Sequence, residues 1–387
     1  MKKILYVTGS RAEYGIMKRL LLALKNDADI ELTIVATGMH CDPKYGLTYK
    51  VIESDCFRID KLIDIDIDTS NNAKILHSMS ICQSQFGQYF QDNDFDAVMI
   101  LGDRYEIFSV AIAAAMHNLP IIHLHGGEKT LGNYDEFIRH AITKMSKLHL
   151  ASTEEYRQRI IQMGEFPDTV FNIGALGAEN SFLMDLPSKI ELSQRFGCLD
   201  KPYFMIAFHP ETLTGVSVVE QVNELLSALD NVSDKYDFVF IGSNSDTGSD
   251  DITIKIKEFC NLTQSRYMTS VKPEEYLALN KYSLGLIGNS SSGLIEVPSL
   301  QVATVNIGDR QKGRVRGQTV IDCRCTEEEI IRSIAQSQTN EFKEQLQLAV
   351  NPYYQQRVLE TALMHIREFI DTPLLEYKDF YDINHSN

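Results

Sequence analysis

The sequence lacks the features that mark several common classes of protein. No apolar stretch approaches the ~18 consecutive residues that a membrane-spanning helix needs. The short apolar run after Lys2 and Lys3 cannot form the core of a signal peptide. The seven cysteines are scattered and include no C-x-x-C pair, which argues against a disulfide framework and against a zinc site. We therefore expect a soluble, cytoplasmic protein that does not bind membranes.

Basic residues are scarce compared with acidic ones. The chain has 37 Lys and Arg against 53 Asp and Glu, a formal net charge of −16. Binding to nucleic acid requires a basic surface, so we expect no DNA or RNA partner. An anionic ligand would need a local cluster of basic side chains. The 387 residues are enough for two domains at roughly 100–200 residues each.

Short β-rich apolar runs alternate with amphipathic, helix-length segments along most of the chain. This alternation predicts parallel sheets covered by helices on both faces. The pattern restarts near Lys201 and Pro202. We predict an α/β protein with two Rossmann-like doubly wound domains facing a cleft, residues 1–185 and 186–352, followed by a C-terminal helix within 353–387 that packs back on the first domain. The predicted strands are 4–8, 31–37, 97–101, 121–125, 148–152, 170–174, 203–208, 237–242, 284–288, 302–307 and 319–323.

Ligands of such folds bind beyond the carboxyl ends of the strands, so the residues that follow each strand are candidates. After the first strand, Gly9 permits a tight turn into a helix whose N-terminus, with Arg11, suits an anion. The segment lacks the G-x-G-x-x-G and P-loop patterns, so an ordinary strand–turn–helix remains the alternative. Asp103 and Arg104 follow a later strand and suggest a carboxylate base beside a phosphate-binding cation; Asp103 could also be a helix N-cap.

The segment from His123 to Glu128 is the most unusual of the candidates. Its H-x-H spacing predicts that His123 and His125 share one face of a strand. With Glu128 they could bind zinc or iron, so a metal-dependent hydrolase is one alternative. The nearby Arg139 would repel a metal ion, and we expect no metal.

Two further clusters lie in the second half of the chain. The run G-N-S-S-S-G-L-I-E over 288–296 offers hydroxyl groups at the start of a helix, which suits a phosphate, and places Glu296 to accept hydrogen bonds from a ribose. A serine-rich helix cap is the alternative. Residues 309–316 hold four basic side chains, which indicates a diphosphate site, a contact with another subunit or a solvated loop. His209, Asn244 and Asp246 follow neighbouring strands and complete this edge of the cleft.

Together these motifs resemble the hydrolysing UDP-N-acetylglucosamine 2-epimerases, in particular their bacterial sialic-acid-capsule branch. The resemblance extends from Ile4 to about Arg316. It implies a GT-B-like pair of domains that needs neither a cofactor such as NAD nor a catalytic metal. It rests on the runs T-G-S-R-A-E-Y-G, T-G-M-H, G-D-R-Y-E, H-G-G-E-K-T, D-E-F-I-R-H-A-I-T-K, F-H-P-E-T, G-N-S-S-S-G-x-x-E-V and G-D-R-Q-K-G-R.

The resemblance also implies a reaction. UDP-N-acetylglucosamine (UDP-GlcNAc) and water would give N-acetylmannosamine (ManNAc) and UDP, by anti elimination through 2-acetamidoglucal and then hydration, for the synthesis of sialic acid and polysialic capsule. A hydrolysing 2-epimerase for a UDP-2,4-diacetamido-trideoxy sugar of the legionaminic acid pathway is an alternative. A glycosyltransferase would share the fold and the UDP site, and a regulatory protein would bind the nucleotide sugar without turnover. A homodimer or higher homo-oligomer is also expected.

Site residues follow from matching the family motifs position by position. UDP or substrate binding falls to Arg11, Arg104, Asn244, Asp246, Ser290, Ser291, Glu296 and Arg310. Catalytic positions fall to Asp103, Asp135, His209 and the glutamate of an H-x-E-G-G-E segment. This sequence has His125 in place of the first glutamate of that segment and Glu128 as the second. Either His125 or Glu128 would therefore transfer the proton, and we expect Asp103 and Glu128 to be the acid–base pair, with Asp135 next.

Overall fold

A computed structural model describes residues 1–197, 199–373 and 377–383. Cys198 lies outside the described residues, as do residues 374–376 and 384–387 of the predicted C-terminal segment. In the described part of the chain, strands and helices alternate and the strands form two sheets, both of them parallel throughout. Among these residues, no helix is both long enough and apolar enough to cross a bilayer.

The first sheet has seven strands in the order β3-β2-β1-β4-β5-β6-β7. The central strand β1 is buried on both faces, since Ile4 and Tyr6 enter one apolar cluster and Leu5 and Val7 enter another. Helices that cover both faces account for this continuous apolar run. The strands are β1 Lys2–Thr8, β2 Ile30–Thr37, β3 Lys61–Ile63, β4 Ala97–Leu101, β5 Ile121–Leu124, β6 Leu148–Ala151 and β7 Val170–Asn172.

The second sheet has six strands in the order β10-β9-β8-β11-β12-β13. Its central strand β8 alternates in the same way, with Phe204 and Ile206 in one cluster and Tyr203 and Met205 in the other. The strands are β8 Tyr203–Ala207, β9 Asp237–Ile241, β10 Arg266–Met268, β11 Leu286–Gly288, β12 Thr304–Ile307 and β13 Val320–Cys323.

Several helices begin at a residue whose side chain caps the helix. The Ser10 side chain caps α1 by accepting the N–H of Glu13, and Ser217 and Glu220 form a capping box at the start of α9. The helices are α1 Arg11–Lys25, α2 Tyr49–Ser54, α3 Asn72–Asp92, α4 Tyr105–Met116, α5 Asp135–Met145, α6 Glu154–Gln162, α7 Leu176–Leu183, α8 Lys189–Phe196, α9 Val218–Asp230, α10 Ser249–Leu262, α11 Pro273–Lys281, α12 Ser292–Ile295, α13 Glu327–Ser337, α14 Asn340–Leu348 and α15 Val358–Asp371.

The strand order reverses between β1 and β4 in the first sheet and between β8 and β11 in the second. At such a switch point the loops that follow the two strands diverge and leave a crevice, where ligands bind. The predicted fold class is confirmed. The eleven predicted strands all occur, 97–101 with the predicted bounds and the others with shifted ones, and the two strands that the pattern missed, β3 and β10, are three-residue edge strands too short to show a periodicity.

The last described helix returns to the first domain. Val358, Ala362, Ile366 and Ile370 of α15 are buried in the cluster under the first sheet, and α15 contacts α1 and α7. The backbone N–H of Val358, which starts this helix, donates to Glu179 of α7 at 2.8 Å. The boundaries proposed at residues 185 and 352 stay predictions.

The position of α15 predicts which substitutions destabilise the protein. Ile366→Ala removes a fully buried side chain and should lower the free energy of unfolding by about 2–5 kcal/mol in chemical denaturation. Met364→Ala, on the same helix but 53% exposed, should change it by no more than about 0.5 kcal/mol. Equal effects of the two substitutions would contradict the packing of α15 on the first domain.

Candidate active site

The loops at the two switch points line one cleft between the domains, with an empty volume of about 1450 Å³ when the open solvent region is included. Each loop follows a strand, so the sheets bring these loops to the same edge of the cleft. Twelve of the thirteen predicted site residues line it: Arg11, Asp103, Arg104, His125, Glu128, Asp135, His209, Asn244, Ser290, Ser291, Glu296 and Arg310.

Arginines from the first domain reach across to the second. The Arg11 guanidinium donates to the Val271 carbonyl at 2.7 Å and lies over the Tyr276 ring. The Arg104 guanidinium pairs with Glu106 at 2.5 Å and donates to Ser245 at 2.5 Å. Both side chains therefore hold their positive charge in the cleft through fixed partners, which suits a polyanionic ligand.

Asp246 takes a different place from the predicted one. It does not line the cleft but lies behind two arginines, 3.6 Å from Arg104 Nη1 and 3.3 Å from Arg310 Nη2. Its carboxylate thus acts on a ligand only through the arginines that it holds. Sequence spacing could place Asp246 at this edge of the cleft but could not show which way its side chain points.

The serine-rich segment forms a shorter helix than expected. Ser290 and Ser291 precede α12, which has only four residues, and Glu296 follows its end instead of lying within it. The hydroxyls of Ser290 and Ser292 contact each other at 3.0 Å. Burial raises the pKa of Glu296 to about 7, so this side chain can hold a proton at neutral pH.

His209 is held as a neutral imidazole. Its Nδ1 accepts the backbone N–H of Asn244 at 3.2 Å, which leaves the proton on Nε2. Burial, followed by the charges of Arg310 and Arg104, lowers the pKa of His209 well below its ordinary value. In this form the histidine donates a hydrogen bond to a ligand and does not carry a charge.

Asp103 forms an ion pair with the fully buried Arg139 of α5. Arg139 also donates to the Glu128 carbonyl at 2.9 Å and to Thr130 Oγ1 at 2.8 Å. Although burial alone would raise the pKa of Asp103, the guanidiniums of Arg139 and Arg314 hold it below its ordinary value. Asp103 is therefore an ionised carboxylate and not the N-cap of α4, a position taken by Arg104.

Asp135, the first residue of α5, is in the opposite protonation state. Its carboxylate accepts from Asn133 at 3.1 Å and lies 3.9 Å from Arg310 Nη2. Burial, and then the negative charges of Asp103 and Asp246, raise its pKa to about 8. The cleft thus holds one ionised aspartate and one that is protonated at neutral pH, an arrangement typical of acid–base sites.

The two histidines of the H-x-H segment lie in different surroundings. Strand β5 ends at Leu124, and His125 has a left-handed φ of 64°, so the prediction that His123 and His125 share one strand face is wrong. His123 stays in the strand and its Nε2 contacts the Gly102 carbonyl at 2.8 Å. Within residues 1–197, 199–373 and 377–383, no group of three or more His, Cys, Asp and Glu has the geometry to hold a metal ion.

Two arginines of the site were not predicted as site residues. Arg139 and Arg314 both contact the catalytic candidates, Arg139 at Asp103 and Arg314 at Glu128, 2.9 Å away. Arg139 follows Asp135 by four residues on α5, a spacing that places both side chains on one helix face and could have indicated it. Arg314 is the third basic residue of the run 309–316.

The basic run divides between the cleft and the surface. Arg310 and Arg314 are buried at the cleft. Lys312 is exposed and pairs with Asp309 at 3.0 Å, and Arg316 pairs with Asp322 on the surface. This difference in exposure arises because the segment turns after β12, so that only two of its four basic side chains face the cleft.

The loop between β5 and α5 docks on the second domain. Leu131 N–H donates to the Lys312 carbonyl at 3.2 Å, and Thr212 Oγ1 donates to Asn133 at 2.7 Å. Gly132 lies against the backbone of Asp309, so closely that a Cβ on Gly132 would be 2.6 Å from the Asp309 carbonyl oxygen. This contact holds Glu128 and Asp135, which flank the loop, opposite the arginines of the second domain.

Comparison with known proteins shows the family of this chain. The family model described as UDP-N-acetylglucosamine 2-epimerase matches residues 22–367. The chain belongs to this family. It is 60% identical over 383 residues to the polysialic acid biosynthesis protein P7 of Escherichia coli, with 99% of this chain and 98% of that protein covered.

More distant relatives share the full length and the fold. A GDP/UDP-N,N'-diacetylbacillosamine 2-epimerase (hydrolyzing) of Campylobacter jejuni is 36% identical, with 99% of each chain covered. Among solved structures, the Neisseria meningitidis UDP-GlcNAc 2-epimerase bound to UDP-GlcNAc has a TM-score of 0.78 at 18% identity, covering 95% of this chain and all of that one. The Staphylococcus aureus MnaA–UDP structure has a TM-score of 0.77 at 18% identity, covering 99% of this chain and all of that one.

The division of the basic run predicts unequal effects on ligand binding. Arg310→Gln removes a buried charge from the cleft and should weaken the binding of UDP about 10- to 100-fold in calorimetric titration, since a charge-assisted hydrogen bond contributes about 1.5–3 kcal/mol. Lys312→Gln, two residues away and exposed, should leave the affinity within about twofold. Similar losses in both variants would contradict the assignment of Arg310 to the cleft.

Proposed function

We propose that this protein is a hydrolysing UDP-GlcNAc 2-epimerase, which converts UDP-GlcNAc and water into ManNAc and UDP for the synthesis of sialic acid. One observation carries the proposal: a single cleft holds buried arginines for a diphosphate beside two aspartates whose pKa values are shifted in opposite directions. A glycosyltransferase or a nucleotide-sugar-binding protein would have use for the arginines alone.

The arginines support the departure of UDP. Breaking the bond between C1 and the phosphate oxygen leaves negative charge on the diphosphate, and Arg11, Arg104 and Arg310 line the cleft where that charge would develop. Their partners hold them in place before the reaction, so little reorganisation is needed when the bond breaks. The three arginines thus concentrate positive charge in the cleft of a chain whose net charge is −16.

The two aspartates support different steps. Epimerisation removes a proton from one face of C2 and returns a proton to the opposite face, so it needs two groups in different protonation states. Asp135 holds a proton at neutral pH and would deliver it to C2 during hydration of the 2-acetamidoglucal. Asp103 stays ionised and would stabilise positive charge that develops at C1 as UDP departs.

The UDP-2,4-diacetamido-trideoxy sugar is a second candidate substrate. The C. jejuni relative is named for N,N'-diacetylbacillosamine, and it is similar to this chain over its whole length. The E. coli relative, named for polysialic acid biosynthesis, is much more similar at 60% identity, which favours UDP-GlcNAc. Cytoplasmic location and assembly as a homodimer or higher homo-oligomer stay predictions.

A proton NMR time course of the purified protein with UDP-GlcNAc in D₂O, with EDTA present, tests the proposal. The expected products are UDP and ManNAc that carries deuterium at C2, because the proton removed in the elimination is replaced from solvent. Unchanged UDP-GlcNAc together with conversion of the 2,4-diacetamido analogue would favour the second substrate. If neither sugar is converted, with or without EDTA, the proposal is wrong.

Removal of the Asp103 charge should slow this reaction. Asp103→Asn is isosteric but neutral, and we expect turnover to fall by about 10²- to 10⁴-fold in the same assay. Asp309→Asn, at an exposed carboxylate paired with Lys312, is the matched control and should keep wild-type turnover. An Asp103→Asn variant as active as the control would remove Asp103 from the mechanism.

The pKa of Asp135 predicts a pH dependence. If Asp135 delivers a proton to C2, the active form is the protonated one, present below its pKa of about 8. Turnover should therefore fall as the pH rises through about 8, by about tenfold for each further pH unit. The measurement is the pH profile of kcat between pH 6 and 10 at saturating UDP-GlcNAc. A profile that stays flat across that range would contradict an acid role for Asp135.

A further inference from the structure

Three hydrogen-bonded side chains form a series at the cleft. They are Arg314 of the second domain and Glu128 and His125 of the first. Arg314 Nη2 contacts Glu128 Oε2 at 2.9 Å, and Glu128 Oε1 contacts His125 Nδ1 at 2.8 Å. Ser152 donates to the same Oε1 at 2.8 Å. An imidazole oriented by a buried carboxylate in this manner is the arrangement of a general base and its orienting group.

Glu128 itself is poorly placed to accept a proton from substrate. It is 1% exposed and both of its oxygens have partners. Burial would raise its pKa, but the charge of Arg314 and the hydrogen-bonded His125 outweigh burial and hold the pKa well below its ordinary value. A carboxylate in this state is a weak base, and its geometry suits the orientation of a neighbour.

His125 has the free atom that Glu128 lacks. Since an ionised Glu128 only accepts, Nδ1 of His125 must carry the proton of their hydrogen bond, so in the neutral imidazole the lone pair is on Nε2. Nε2 has no hydrogen-bond partner in the described part of the chain, and the side chain lines the cleft. The left-handed φ of 64° at His125 turns the backbone out of β5, a conformation that non-glycine residues seldom adopt and that clusters at functional sites.

We propose that His125 Nε2 removes the C2 proton of the substrate and that Glu128, held by Arg314, is its positioning residue. This inference rests on the proposed function and names the base for it. It also assigns to a histidine the step for which the family resemblance implies a glutamate at this position.

The elimination and hydration balance with these roles. His125 Nε2 takes the C2 proton, the C2–H electrons form the C1=C2 bond, and the C1–O bond breaks with its electron pair leaving on UDP. In the hydration, water oxygen bonds to C1 and C2 receives a proton from Asp135. The proton lost by that water restores Asp135 through solvent, and the proton on His125 is released to solvent.

Other charged groups around the base determine its pH dependence. Glu128, in the loop after β5, supplies negative charge near His125, and Glu296, at the end of α12, adds a carboxyl group whose pKa burial raises to about 7. Arg314 supplies positive charge from the second domain. The ion pair of Asp103 and Arg139 lies next to Arg314. The pH profile alone therefore reports several groups, and the test needs a readout that belongs to one side chain.

Chemical rescue provides that readout. His125→Ala should lower kcat for ManNAc formation by about 10²- to 10⁴-fold, and added imidazole should restore it by about tenfold or more because the truncated side chain leaves room for a free base. UDP affinity, measured by calorimetry, should stay within about threefold and shows that the variant is folded. His77→Ala, at an exposed histidine of α3, is the matched control and should keep wild-type turnover without a response to imidazole.

Glu128 variants separate the base from its positioning residue. Glu128→Gln should lower kcat by about tenfold or more with KM within about twofold. Wild-type turnover in His125→Ala, or a folded His125→Ala variant that imidazole leaves inactive, would each overturn the assignment. Failure of the wild-type protein to produce ManNAc would instead contradict the proposed function, independently of these variants.

Discussion

Opposite charges that pair between the two domains determine how this cleft is built. Arg104 of the first domain pairs with Asp246 of the second, while Arg310 and Arg314 of the second domain face Asp135 and Glu128 of the first. A buried carboxylate or guanidinium without a partner costs several kcal/mol, so each domain supplies the counter-charges that the other needs. The loop between β5 and α5, whose Gly132 packs against the backbone of Asp309, keeps the partners of these pairs close to each other.

The same pairing gives each acidic group its own protonation state. Glu128 and Asp103 have close guanidiniums and stay ionised, whereas burial and two nearby carboxylates keep a proton on Asp135, which lies 3.9 Å from Arg310. Chemistry that moves protons on both faces of one carbon needs this asymmetry.

Much of this arrangement could be predicted from the sequence. The alternation of apolar strands and amphipathic helices specified both sheets, since a strand buried on both faces is apolar along its whole length, as Ile4 to Val7 shows. Residues directly after strands could be placed at the cleft for the same reason. Side-chain direction could not be predicted: Asp246 lies behind the arginines, and His125 leaves its strand through a left-handed turn that the H-x-H spacing does not reveal. Arg314 was missed as a site residue because a basic run does not show which of its members face inward.

A double-mutant cycle on Arg314 and Glu128 tests the central claim, that charge pairs between the domains set up the catalytic groups. The measured quantity is kcat for ManNAc formation in the wild type, Arg314→Met, Glu128→Gln and the double variant. If Arg314 acts through Glu128, the double variant loses little more than the more damaged single variant, a departure from additivity of about tenfold or more, equivalent to about 1.4 kcal/mol. Effects that simply multiply would show that the two residues act independently and would contradict the account.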